Sequence, residues 1–488
     1  MRKNILSSIG VGLLASVFIF GASACGGGID DQTGDGTIKK PWWTTEGTLK
    51  KDNDNIVYED VELSLSTVVT GDDAAPLNQL IARFNQEYKG KIRVTSTSIA
   101  QGSYESAVAQ AIQNNSNPPD ILMSHQKGHK AFADNKLIQP LNEAIEKSGI
   151  DLKMADYAAG LAQYTDLGYE GYMFDVPIDA QSIAVFYNKK MLAKYGDKLP
   201  SGHTELLDLL KRVAEGEKKI PISSVMNSTM FFDYAFTTAV LQNGGWLYDS
   251  ENQYKVDWAS DANNLAAFKN GIKAMRDIVK STPALADFDM VRPTALRNFT
   301  QGDSLFYFAY PWDTTALLDN YAKQNNISVA VVKSDYVGAT SVVNWFNLDE
   351  TSENGNKIYG DSHYFAMSKS VTDITKKSAI CEFIKWFTQN GSVAAAWGEA
   401  GHVSASTAAL TSPEYLQNDM INDYINVFYP DMNYFDTAGI TPYAVQMADA
   451  WRPMFKAAIE KNNDSSDEAL IREAQQKVND EIDTINME

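Results

Sequence analysis

The sequence predicts an α/β protein of two doubly wound lobes. Three observations carry this. Between residues 61 and 123 the hydrophobic period alternates between that of a strand and that of a helix, in the β-α-β-α-β order of a mostly parallel sheet. The chain has 488 residues, too many for one compact core. No second low-complexity linker separates two halves, so the chain must cross between lobes more than once.

The elements follow in order. Val61, Leu63 and Leu65 alternate as in a strand, and Gly71-Asp72-Asp73 is a turn. Leu77, Leu80, Ile81, Phe84 and Tyr88 then share one helical face. Ile92 and Val94 begin a second strand, and Tyr104, Val108, Ala111 and Ile112 mark a second helix. Asn117-Pro118-Pro119 breaks it, and Asp120 to Met123 is a third strand. A helical segment near Phe132 runs to Pro140, and Val176 to Asn188 is extended. Helical patterns follow at 204–215, 229–242, 260–280 and 292–300. Ile327 to Val332 and Asp361 to Met367 read as strands. Ser378 to Thr388 is a helix with Ile380, Phe383, Ile384 and Phe387 on one stripe, and Asp467 to Ile485 is a polar-faced closing helix.

The most chemically suggestive stretch is Leu305 to Asp313, an aromatic run ending in Tyr310-Pro311-Trp312-Asp313. Its first six residues suit a buried strand, which Pro311 stops because proline has no N–H for a ladder. Asp313 can then cap a helix through Leu317 and Leu318. Ligands of open α/β sheets settle at such strand-to-helix junctions. A flat ring offers a surface to the C–H face of a sugar, and a carboxylate accepts its hydroxyl protons. Phe306 and Phe308 read as core, whereas Trp312 lies past the strand.

Composition bounds the chemistry. Lys plus Arg number 42 against 62 Asp plus Glu, a formal charge of −20. That field repels nucleic acid and anionic lipid and disfavours an anionic ligand in the absence of an arginine cluster near the candidate loops. Five histidines and two cysteines leave little material for metal or thiol chemistry. The sequence contains no GxSxG elbow, Walker A loop, HExxH or CxxC. No cofactor and no metal are expected. His125 and His129 are four apart, but Gly128 between them argues against a regular helix there.

The N-terminus is an address. Arg2 and Lys3 precede an apolar stretch from Ile9 to Phe20, too short to span a bilayer. Ala22-Ser23-Ala24-Cys25 resembles a bacterial lipobox, with Ala22 where leucine is usual. The resemblance implies a signal peptide over residues 1–24 and an acyl anchor (palmitate) on Cys25, holding the protein to the outer face of the cell membrane, or to its periplasmic side if an outer membrane exists; the alternative is a plain secretory signal with an incidental cysteine. Residues 25–56 read as a flexible tether. Trp42-Trp43 within it either docks on the fold or rests at a surface. Cys381 reads as a buried free thiol on a helix.

An ordered set of motifs then carries a family likeness. Cys25 follows the lipobox-like sequence; Asn117-Pro-Pro-Asp-Ile precedes a strand; Val176-Pro177 leads to Phe186-Tyr187-Asn188-Lys189. Gly244-Gly245-Trp246, Phe299-x-x-Gly302 into Tyr310-Pro-Trp312, and Phe383-x-x-Trp386-Phe387 before Gly401 complete the set. Together they resemble the extracellular solute-binding proteins of sugar ABC transporters, of the maltodextrin-binding type. Gly360-Asp-Ser-His363 departs from the Gly-Gly usual before the late crossover, and insertions are expected around 335–360 and 411–440.

The resemblance implies a type II periplasmic-binding-protein-like fold, two α/β lobes hinged around a cleft. One lobe would span 57–177 plus 365–410 and the other 180–362 plus 411–488. The crossovers would lie near Pro177–Ser182, His363–Ala366 and Ser404–Ser412. It further implies a monomeric, non-enzymatic protein that captures a neutral carbohydrate, such as an oligosaccharide, and passes it to the importer's membrane permease subunits.

On such a fold the strand-end loops and hinges supply the candidate site. Asp72 reads equally as a hydroxyl acceptor and as a turn residue. His125 and Gln126 both donate and accept hydrogen bonds. Asp179 and Gln181 sit in the first crossover, and His363 in the second. Asn227 and Phe231 open a helix of the second lobe. Trp246 is a stacking platform or a lid over core, and Trp397 reaches the cleft or packs within a helix. Tyr310, Trp312 and Asp313 complete the set. The rivals are an exported glycoside hydrolase, which needs two carboxylates facing one bond, and a binding protein for a peptide, polyamine or metal.

Overall fold

The computed structural model describes residue 38 and residues 40–487, except 54, 72, 217–218, 249–254, 438–440, 442 and 462–465. The signal segment, Cys25 and Asp72 lie outside the described residues.

Two principal sheets organise the chain. The first has the spatial order Ile92–Ser98, Val61–Thr67, Ile121–His125, His363–Ser368, Ile138–Gln139, with Asp175–Pro177 also paired to His363–Ser368. Its first three strands run parallel and His363–Ser368 runs antiparallel to Ile121–His125. The alternation read from residues 61 to 123 is therefore the parallel half of this sheet. Leu77, Leu80, Ile81 and Phe84 are the buried stripe of helix Ala74–Glu87. The breaker at Asn117 takes a left-handed backbone, φ 49°.

The second sheet has the order Ile220–Ser223, Ser304–Ala309, Ala184–Asn188, Val337–Thr340. The aromatic strand Ser304–Ala309 lies inside it, parallel to Ile220–Ser223 and antiparallel to Ala184–Asn188. All six of its residues are buried. That explains its unbroken apolar run, since a strand covered on both faces has no polar side to alternate with.

The chain passes from the first sheet to the second through Asp179–Ala180 and returns at His363. Val403–Ser404 then pairs antiparallel with Asp179–Ala180. Three chain segments thus meet at the junction of the lobes.

Three expectations need correction. Ile327 to Val332 is not a strand. The Ser328 side chain caps a short helix, Val329–Val331, through the Val331 N–H, a π-helical turn follows over Val332–Tyr336, and the strand begins only at Val337. A short valine run has no period that separates helix from strand, and the serine cap decides. Gly128 does not interrupt a helix. It lies within Gln126–Asp134, which ends well before Pro140. A Cβ there would lie 3.3 Å from Glu105 Oε1, so the glycine lets the helix approach its neighbour Gln101–Gln113. The described part of the expected tether is also docked. Trp42 donates from Nε1 to the Ile138 carbonyl at 2.8 Å and stacks on Phe174, with centroids 5.8 Å apart. Trp43 meets Tyr172 edge-on, and Glu46 exchanges backbone hydrogen bonds with Thr372 and Ile374.

Cys381 is a buried free thiol on helix Ile374–Gln389. Among the described residues no helix is long and apolar enough to cross a membrane.

Candidate functional site

A cavity of about 560 Å³ lies between the two sheets' loop ends. On the first-sheet side its wall includes Thr70, Gly71, Asp73, His125 and Gln126. Gln181, Asp361 and His363 line it from the crossing segments. Tyr310, Trp312, Arg292, Asp233, Tyr234 and Arg452 line it from the second-sheet side.

An aromatic pair forms part of the cavity wall. Tyr310 and Trp312 stack with centroids 4.4 Å apart and planes 7° from parallel. Pro311 between them turns the chain into a 3₁₀ turn, Pro311–Asp313, so both rings leave on the same side. The Tyr310 hydroxyl accepts from the Met230 N–H at 3.1 Å. Asp313 does not cap the following helix with its side chain. It accepts from the Tyr310 N–H at 3.2 Å and forms an ion pair with Arg292. A loose junction would leave the rings free to turn; this carboxylate fixes them.

A polar knot stands beside the pair. The Asp179 Oδ2 accepts from Trp397 Nε1 at 2.8 Å, and His363 Nδ1 lies 3.0 Å from it. His402 Nδ1 lies 3.1 Å from the same oxygen, and His402 Nε2 lies 3.3 Å from Asp73 Oδ2. Trp397 and His402 stack at 4.1 Å, and Trp312 lies near-parallel to His402 at 6.3 Å. Burial pulls the His402 imidazole down, but the Asp179 and Asp73 carboxylates outweigh it and hold it at about 9. Burial likewise raises the Asp179 carboxyl, and the charges of His363 and His402 overcome this and hold it well below the ordinary range. His125 Nδ1 lies 3.1 Å from Asp361 Oδ1, and its ring stacks on His363 at 4.9 Å.

The structure brings His125, Gln126, Gln181, Tyr310, Trp312 and His363 onto one cavity. Asp313 stands directly behind the aromatic pair. Asp179 is fully buried and reaches the cavity only through the histidines. Four candidates lie elsewhere. Phe231 stacks on Phe308 in the core at 5.8 Å. Trp397 is buried and holds Asp179. Trp246 donates to Asp257 at 2.8 Å, away from the cavity, and Asn227 is exposed outside its wall. His125 and His129 do not face a common point, because His129 turns to Ser124 and Asp175.

Several lining groups escaped the sequence reading. The sequence shows no arginine cluster near the candidate loops, and it did not signal that Arg292 and Arg452 line the cavity. Each is held by a carboxylate: Arg292 by Asp313, and Arg452 by Asp233, with Nε 2.8 Å from Oδ1. Trp451 donates to the same Asp233 at 3.0 Å. Asp233 and Arg452 are 219 positions apart in the chain, and no local pattern signals such a pair.

A family model described as bacterial extracellular solute-binding protein matches residues 69–394. The chain belongs to that family. The match covers most of both sheets and the first two crossings, so the family's extracellular placement holds for this chain too. The sn-glycerol-3-phosphate-binding periplasmic protein UgpB of Salmonella typhimurium is 24% identical over 162 residues, 32% of this chain. The chain spans only 36% of that relative's length. The putative ABC transporter periplasmic-binding protein YcjN of Escherichia coli is 23% identical over 184 residues, 38% of this chain and 42% of its own. Among solved structures, the sugar-binding protein MalE of Xanthomonas citri superposes with a TM-score of 0.69 at 14% identity, over 88% of this chain and 98% of its own. The cyclic alpha-maltosyl-1,6-maltose binding protein of Arthrobacter globiformis gives 0.66 at 15% identity, over 87% and 99%. These likenesses establish the two-lobed, hinged periplasmic-binding-protein fold of family members.

Proposed function

We propose that this protein captures a neutral oligosaccharide between its lobes and delivers it to an ABC importer, without chemical turnover. The observation that carries this reading is the parallel Tyr310–Trp312 pair on the wall of a cavity whose polar lining includes hydroxyls, amides, imidazoles, carboxylates and two carboxylate-paired guanidinium groups. A sugar has one apolar C–H face and a rim of hydroxyls, and such a wall answers both. The cavity volume is that of an ordinary small-ligand site. The solved relatives whose names speak of sugars and cyclic maltosides support the same class.

A phosphorylated polyol, the ligand in the name of UgpB, is the second reading. The two cavity arginines favour it, but their pairing with Asp233 and Asp313 speaks against it. A phosphate would have to displace a carboxylate at each, beside the further carboxylates of Asp73, Asp361 and Asp449.

The reading includes an acyl anchor at Cys25 and a single-copy protein outside the cytoplasm. Calorimetric titration with maltose through maltohexaose, cyclic maltosides and glycerol 3-phosphate tests the ligand class. Saturable binding of a neutral saccharide is expected. Binding of glycerol 3-phosphate alone, or release of shorter sugars during the titration, would overturn it. Metabolic labelling with palmitate, lost in Cys25→Ala, tests the anchor.

A further inference from the structure

Sugar capture gives no account of why Asp179, His363 and His402 meet where they do. The chain has five histidines. Two of them converge on one carboxylate that is fully buried, with His363 4% exposed and His402 not exposed at all. Each of the three comes from a different segment at the lobe junction: Asp179 from the first crossing, His363 from the second, and His402 from just before the strand Val403–Ser404.

One carboxylate oxygen and two imidazole nitrogens lie within 4.8 Å of one another. Asp179 Oδ2 is 3.0 Å from His363 Nδ1 and 3.1 Å from His402 Nδ1. Neighbouring ligands around a tetrahedral ion with bonds of about 2.0–2.2 Å stand roughly 3.3 Å apart, close to these separations. A second observation separates this cluster from an ordinary hydrogen-bond network. His402 Nδ1 is buried and makes no hydrogen bond, although Asp179 Oδ2 is within reach. That nitrogen has only an ion-pair contact with Asp179, and an ion between the three groups, displacing the proton the carboxylates favour on His402, would give it a bonded partner.

The surroundings are those of a metal's outer shell. His402 Nε2 faces the Asp73 carboxylate, the arrangement that orients and strengthens an imidazole ligand. The Asp179 carboxylate is steadied by the His363 N–H at 3.0 Å and by Trp397 Nε1 at 2.8 Å. Two imidazoles and one carboxylate suit a zinc-class ion rather than calcium or magnesium, which take oxygen donors. Three protein ligands leave a fourth position for water.

We propose that Asp179, His363 and His402 form a divalent metal site of the zinc class at the junction of the interlobe crossings. The ion ties three segments about which the lobes turn, next to the aromatic platform but not beneath it. It is a hinge fastener and requires no particular ligand in the cleft.

The test uses the full-length protein in detergent, stripped with EDTA and freed of chelator. Titration with zinc chloride is expected to show one ion per chain and a raised Tm. His402→Asn and His363→Asn are each expected to abolish the stoichiometric uptake. If the stripped wild-type protein takes up no zinc, the proposal fails. Should either variant not fold, X-ray absorption of the zinc-loaded wild type decides. A shell with two imidazoles and one carboxylate oxygen supports the site, and a shell without imidazole overturns it.

Discussion

At the scale of single residues, the contact between Trp312 and Gly401 leaves no room for a side chain. Gly401 has φ 101°, and a Cβ there would lie 2.4 Å from both the Cα and N of Trp312. Any side chain must therefore push the aromatic platform away from the segment that carries His402, on top of the left-handed backbone cost of about 1–2 kcal/mol. Gly401→Ala is expected to separate the lobes, read as a larger radius of gyration in X-ray scattering and weaker saccharide binding. Trp312→Ala removes the platform while leaving the core intact. The expected loss is about 2 kcal/mol, roughly thirtyfold in Kd. An unchanged Kd would remove the sugar seat. Tyr310 and Trp312 were legible as candidates because both lie beyond the proline that ends a buried strand. Trp397 was named too, but its buried role, an indole N–H on Asp179, arises only through the fold.

At the scale of elements, periodicity carries most of the information where one face is buried and one exposed. Helices His203–Gly216, Ala262–Ser281 and Arg292–Thr300 fall where their apolar stripes place them. Segments whose state depends on a contact were misread. Gly128 sits within a helix that approaches Glu105, and the Trp42–Glu46 segment docks because Trp42 finds the Ile138 carbonyl and Phe174. Composition alone reads that segment as unstructured, since few of its residues are apolar. Trp42→Ala is expected to cost about 2 kcal/mol of stability, measured by chemical denaturation, and to expose the segment to proteolysis. If Trp42 were merely adsorbed, neither readout would change.

At the scale of the molecule, the closing helix Asp467–Met487 is locked to the second-sheet side by a buried ion pair. Arg276 donates to both Asp467 oxygens, at 3.1 and 2.7 Å, and to the Ala458 carbonyl at 2.9 Å. Both charged groups are almost wholly buried. Arg276→Met strands the Asp467 carboxylate, at an expected cost of about 3–5 kcal/mol. The paired change Arg276→Met with Asp467→Leu should recover much of that, which denaturation curves would show. Hinge closure is also a whole-molecule property. A saturating saccharide is expected to lower the radius of gyration relative to the ligand-free protein, because it bridges the walls of the cavity. An unchanged radius in both states would argue for a rigid cleft.

The sequence by itself determined the α/β class, the parallel start of the first sheet and the aromatic turn that faces the cavity. These follow from local periods, a proline and a run of rings, which act over a few residues. Only the tertiary structure decided which charges meet. The Asp233–Arg452 and Asp179–His402 pairs join positions more than two hundred residues apart. Side-chain chemistry shows that each could find a partner; which partner depends on how the chain threads between two lobes, and no local pattern encodes that path.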